Sequence, residues 1–196
     1  MNSICVFCGA SPGKNPIYIE TAREVGRTLA AQGLRLVYGG GAVGTMGAVA
    51  DACLESGGEV IGVITKRLEN LEVGHTGLTS MHVVDTMHER KAMMAELADG
   101  FVSLPGGIGT MEELFEVFCW AQLEIHSKPC ALLNVEGYYD QLYAFLQHMV
   151  DERFLLQEHG EMLLLGDDIQ QLLTRMREFE PVKLEKWVDR KTSGSG

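Results

Sequence analysis

The feature that most constrains this chain is a series of short, unbroken apolar runs, "ICVF" at 4–7, "VIGVI" at 60–64 and "ALLNV" at 131–135, set between longer segments of helical period. A strand that is apolar on both faces must be covered on both, which is the habit of a parallel sheet, and parallel neighbours need crossovers that helices supply. Strands are expected at 4–8, 35–38, 59–64, 81–84, 101–104, 130–134 and 162–165. Helices are expected at 17–32, 45–56, 88–98, 110–125, 138–152 and 167–178, with a less regular stretch at 66–80. This predicts an α/β fold, a Rossmann-like doubly wound parallel sheet with helices on both faces. Ligands of such sheets sit beyond the C-terminal ends of the strands, so the turns that follow strands hold the chemistry.

The 196 residues, 46% hydrophobic and 22% charged, suffice for one sizeable core. A single domain is expected over 1–180, followed by a tail over 181–196 whose end, "KTSGSG", reads as partly disordered. The formal charge of −11 disfavours nucleic-acid and membrane-surface partners, which demand basic surfaces. It leaves room for a small anion, because a local cation or a helix N-terminus acts within roughly 8 Å whatever the global sign. Neither a secretory leader nor a bilayer-length apolar stretch is visible, and five cysteines is an odd count, so a reduced cytoplasmic setting is expected. Cys5 and Cys8 spell C-x-x-C, but on a strand they fall on opposite faces and read as core residues. The six histidines show no metal-ligand spacing, so no metal is expected.

Two glycine-rich turns follow predicted strands. Gly39, Gly40, Gly41 and Gly44 satisfy G-x-G-x-x-G ahead of Thr45 and Met46. The pattern serves either a phosphate at the next helix or merely a tight turn and close packing. It follows the second strand, and the third ends without the acidic residue a dinucleotide site wants, so a nicotinamide cofactor is disfavoured. The second turn, "LPGGIGTMEELFE" at 104–116, has three glycines that would free backbone N–H groups for an anion. Its Thr110 and Glu113 also spell a capping box, with Thr110 as the helix cap. Both uses are open.

Arg90 and Lys91 in "MHERK" fall in the first turn of a helix, the end where cations are unfavourable. Either they lie on a solvated face beside Glu89 and Glu96, or they meet an anionic partner. Glu112, Glu113 and Glu116 crowd the start of the following helix. The dipole alone favours carboxylates there; beside a phosphate-holding turn, a carboxylate is also placed to stabilise the oxocarbenium-like species of glycosidic bond cleavage.

Together "CGAS", "GGGAVGTMG", "MHERK" and "PGGIGTMEE" resemble, in order, the motifs of the LOG ("lonely guy") family of cytokinin riboside 5′-monophosphate phosphoribohydrolases, often mislabelled lysine decarboxylases. The resemblance spans roughly residues 1–180. It implies hydrolysis of the N-glycosidic bond of AMP or an N6-modified AMP to free base and ribose 5-phosphate, without a cofactor. It implies Arg90 and Glu113 as the catalytic pair. It further implies nucleotide contacts from Ser11, Gly39, Gly40, Gly41, Gly44, Thr45, Met46, Glu72, Met87, Arg90, Lys91 and Pro105, and from Gly106, Gly107, Ile108, Gly109, Thr110, Met111, Glu112 and Glu113. A homodimer with the site near the subunit interface is implied as well. The decarboxylase label fails on chemistry, since that reaction wants a Schiff-base lysine in a much larger scaffold. A non-catalytic nucleotide-binding or carrier protein with the same turns is the alternative.

Overall fold

The computed structural model describes residues 1–71 and 74–182, so the expectations for Glu72 and for the tail from 183 onward lie outside the described residues. The apolar runs form strands β1 (Ser3–Phe7), β2 (Arg35–Tyr38), β3 (Val60–Thr65), β4 (Ser80–Val84), β5 (Phe101–Ser103), β6 (Cys130–Leu133) and β7 (Leu163–Gly166). They pair in the order β4-β3-β2-β1-β5-β6-β7, each pair parallel. The chain thus lays strands outward from β1 on one side, then crosses to β5 on the other. The crevice beyond the ends of β1 and β5 is the topological switch point of the sheet.

Helices α1 (Ile17–Ala31), α2 (Gly44–Glu55), α3 (Lys66–Leu71), α4 (Met87–Leu97), α5 (Ile108–Gln122), α6 (Asp140–Asp151), α7 (Gln157–Glu161) and α8 (Ile169–Arg177) make the crossovers and cover the sheet. Alternate residues of β1 enter different cores: Ile4, Val6 and Cys8 join α1, α2 and α8, while Cys5 and Phe7 join α4 and α5. Cys5 and Cys8 therefore do lie on opposite faces, both buried. Fully buried side chains such as Leu36, Leu114 and Leu132 each contribute about 1.5–3 kcal/mol.

Three expectations need correction. The stretch from 66 opens with a short helix, α3, and α7 precedes β7; both are too short, at six and five residues, to show a period. Helix α6 begins at Asp140 rather than 138, because Glu136 (φ 51°) and Gly137 (φ 70°) turn the chain through a 3-10 turn first. Most consequential, the capping box is not at Thr110. Helix α5 starts at Ile108 with Gly107 as its cap, so Thr110 is already inside the helix. The box stands at Thr86 and Glu89, where the Thr86 hydroxyl accepts from the Glu89 amide (3.1 Å) and Glu89 accepts from the Thr86 amide (2.9 Å).

Candidate functional site

Capping by Thr86 fixes the start of α4 and thereby the course of Arg90 and Lys91. Both are buried, 5% and 7% exposed, so the solvated-face reading is overturned. Arg90 reaches beneath the C-terminal ends of the strands. Its Nε donates to the Val63 carbonyl of β3 (2.9 Å), its Nη2 to the Gly39 carbonyl after β2 (3.3 Å), and its Nη1 to Glu113 Oε1 on α5 (2.8 Å). A guanidinium this deep, at the wrong end of a helix dipole, is tolerable only because carbonyls and a carboxylate satisfy it. Gly39 is required by that arrangement, since a Cβ there would stand 2.1 Å from Arg90 Nη2.

Lys91 turns to the same helix but to other residues, donating to Glu112 Oε1 and, at 3.0 Å, to Glu116 Oε1. Burial works against its ammonium, but the hydrogen bonds to Glu112 and Glu116 outweigh it and raise the lysine pKa. Two consecutive cations on α4 thus bind three carboxylates on α5, and Glu113 is held by Arg90 instead of reaching back to cap its helix.

The Arg90–Glu113 pair walls a cavity of about 280 Å³ at the switch point, lined also by Val6, Cys8, Gly9, Ala10, Gly39, Met46, Leu68, Met87, Gly107, Gly109, Thr110 and Glu112. Burial, then the nearby Glu113 carboxylate, pushes the Cys8 thiol well above its usual range. A second cavity of about 420 Å³ adjoins the first across Gly9, Ala10 and Gly107, and takes in Ser11, Thr45, Pro105, Gly106, Tyr18 and Tyr138.

The two glycine turns differ in what they offer. The first amides of α2 are spent: Thr45 N and Met46 N donate to the Gly9 carbonyl (3.0 and 3.3 Å), and the Thr45 hydroxyl accepts from Gly9 N (2.9 Å). Gly44, at φ 62°, lets the loop after β1 come so close that a Cβ would stand 2.3 Å from the Ala10 carbonyl carbon. Gly41 bridges to Gly74, and Gly40 lies under Met81 and Ile64. That turn welds loop to helix. Helix α5 has no side-chain cap, and among the described residues nothing accepts from the amides of Ile108, Gly109 and Thr110. A Cβ on Gly107 or Gly109 would meet nothing within 4 Å, and neither has positive φ. Packing and backbone conformation leave those glycines unexplained, and the space beside the amides is open.

Of the other residues singled out in the sequence, Ser11 is exposed at the rim of the second cavity and Met87 at the first. Ile108 is 85% exposed and Met111 packs on the core, and neither lines either of these two cavities; nor does Lys91. The sequence reading missed Leu68, hidden in an irregular-looking stretch, and Tyr18 and Tyr138. Tyr138 follows β6 on the ligand edge, which was the available signal.

A parallel sheet of this order, with a buried Arg–Glu pair and an uncapped helix start at its switch point, defines an α/β protein of the Rossmann-like class. The comparisons with known proteins agree. Residues 46–176 match a family described as "Possible lysine decarboxylase". The cytokinin riboside 5′-monophosphate phosphoribohydrolase of Rhodococcoides fascians is 47% identical over 176 residues, 89% of each chain. The enzyme of that name from Oryza sativa subsp. japonica is 44% identical over 91% of this chain and 74% of its own. The chain belongs to the family of cytokinin riboside 5′-monophosphate phosphoribohydrolases. Its fold is also that of the molybdenum cofactor carrier protein from Chlamydomonas reinhardtii, with a TM-score of 0.68 at 19% identity over 90% of this chain and 96% of that one. Among the described residues no helix is long and apolar enough to cross a membrane.

Proposed function

We propose that this protein hydrolyses the N-glycosidic bond of an adenosine-type nucleoside 5′-monophosphate, AMP or an N6-modified AMP, giving free base and ribose 5-phosphate. The observation that carries the reading is the buried Arg90–Glu113 pair in the wall of the same cavity as the uncapped start of α5. The names of the relatives from Rhodococcoides and rice support it.

In this reading the 5′-phosphate lies against the amides of Ile108, Gly109 and Thr110, where unpaired N–H groups and the helix dipole favour an anion. The sugar then falls beside Glu113. As the C1′–N bond lengthens, its electrons leave with the base, which takes up a proton, and positive charge grows on C1′ and the ring oxygen. The Glu113 carboxylate stabilises that charge and orients the water whose oxygen bonds to C1′; the water's proton balances the one given to the base. Arg90 aims Glu113 through the hydrogen bond from its Nη1. Lys91, taken up by Glu112 and Glu116, fixes α5 against α4. Met46, Leu68 and Met87 offer the base an apolar wall, and Glu72 keeps the nucleotide-contacting role the family resemblance gives it. No cofactor enters the scheme.

Decarboxylation of lysine, which the family description names, would want an imine-forming lysine in the cavity; Lys91 is instead taken up by Glu112 and Glu116. A carrier of the same fold would bind the nucleotide without cleaving it; the placement of Glu113 favours the hydrolase. We further propose a homodimer, supported by the exposed apolar residues Ile108, Leu123 and Ile125 at the ends of α5, and testable by light scattering.

The experiment is base release from AMP, N6-modified AMP, GMP and the matching nucleosides. Release from the adenine monophosphates with little from nucleosides supports the reading; binding of AMP without release supports the carrier.

A further inference from the structure

The peptide between Gly106 and Gly107 leads into the uncapped start of α5 and is shared by neither a helix nor a strand. Its carbonyl accepts a hydrogen bond from the Tyr138 hydroxyl at 2.7 Å, across 32 residues of sequence. Next to it, the Tyr139 hydroxyl donates to the Leu104 carbonyl at 2.5 Å, so consecutive tyrosines grip the two ends of the same turn. The Tyr138 ring is itself braced edge-on, against Tyr18 (5.8 Å, 76°) and Tyr139 (5.0 Å, 87°).

A trans peptide is planar, with its C=O and N–H pointing in opposite directions. A hydroxyl that holds the Gly106 carbonyl on one side therefore holds the Gly107 N–H on the other. Neither residue has a Cβ, and glycine pairs are the positions most free to flip, so a hydroxyl on this carbonyl adds a restraint that the backbone lacks. We propose that Tyr138 is a positioning residue for the phosphate turn: its hydroxyl, bound to Gly106, locks the Gly106–Gly107 peptide so that the Gly107 N–H faces the 5′-phosphate beside the amides of Ile108, Gly109 and Thr110. This rests on the reading of that turn as the phosphate site, and adds to it a residue outside every glycine, basic and acidic motif. Tyr138 touches no reacting atom; it acts through Gly106.

The test is calorimetric binding of ribose 5-phosphate and of adenosine to the wild type, to Tyr138→Phe and to Tyr18→Phe, which needs no turnover. Tyr138→Phe keeps the ring and removes the hydroxyl; it should bind ribose 5-phosphate about fivefold or more weakly, the worth of one hydrogen bond, with adenosine affinity and melting temperature unchanged. Tyr18→Phe should bind both as the wild type does. Wild-type binding of ribose 5-phosphate that Tyr138→Phe leaves intact, or an equal loss for adenosine, overturns the role of the tyrosine alone. Failure of the wild type to bind ribose 5-phosphate overturns the reading of the turn, and the inference with it.

Discussion

Arg90 Nη1 and Glu113 Oε1, 23 residues apart in sequence, meet at 2.8 Å in a setting where their side chains are only 6% and 10% exposed. A buried ion pair of this kind adds little net stability, because desolvation consumes most of the attraction. Its position in the wall of the first cavity fits the catalytic role proposed for it better than a stabilising one. Removing one partner is another matter: Arg90→Ala deletes the cation of a buried pair and should cost about 3–5 kcal/mol, read as a lower urea midpoint, along with activity.

The isosteric change separates the roles better. Glu113→Gln keeps the shape and an acceptor for Arg90 but removes the charge, so the fold should survive while base release falls by about 10²–10⁴-fold. Circular dichroism and initial rates on one preparation check both halves.

The glycines should divide by position. Gly107→Ala meets open space and should fold with a melting temperature near that of the wild type, yet raise KM for the monophosphate by tenfold or so as the methyl crowds the amides. Gly44→Ala, at φ 62° and against Ala10, should instead lose about 1 kcal/mol or more of stability. Equal loss of stability in both would remove the distinction between the two turns.

How far could this have been read from the sequence? The parallel sheet was legible because its strands are apolar on both faces, and the edge that holds the two cavities because glycines follow the strands. The capping box was misplaced because Thr86–Glu89 and Thr110–Glu113 both spell T-x-x-E. Local spelling cannot tell which threonine is at a helix start when Gly107 already caps α5. Nor could it show that Arg90 is buried, since its acceptors, Val63, Gly39 and Glu113, come from three separate elements joined only by the topology. The spending of the α2 amides on Gly9 is likewise a tertiary fact.

That correction is itself testable. Thr86→Ala should cost about 1 kcal/mol, and Thr110→Ala should behave as loss of a buried core-side residue without the signature of a lost helix cap. Hydrogen exchange at the first turn of α4 should quicken in the first variant only.

Cysteine reactivity follows from burial. Burial and the Glu113 charge push the Cys5 and Cys8 thiols up, and burial takes Cys53 to about 11 and Cys130 to about 12, so at pH 8 these four stay protonated. Cys119 is exposed. A thiol reagent should titrate one thiol in the native protein at pH 8 and five in denaturant.

The central claim is that Glu113, held by Arg90, serves the cleavage of a phosphoribosyl–base bond. Its most direct test is the product analysis of AMP incubated with purified wild type and with Glu113→Gln. The wild type should give equal amounts of adenine and ribose 5-phosphate, and a folded, AMP-binding Glu113→Gln should give almost none of either. Wild-type levels of adenine from Glu113→Gln, or intact AMP after incubation with the wild type, would contradict it.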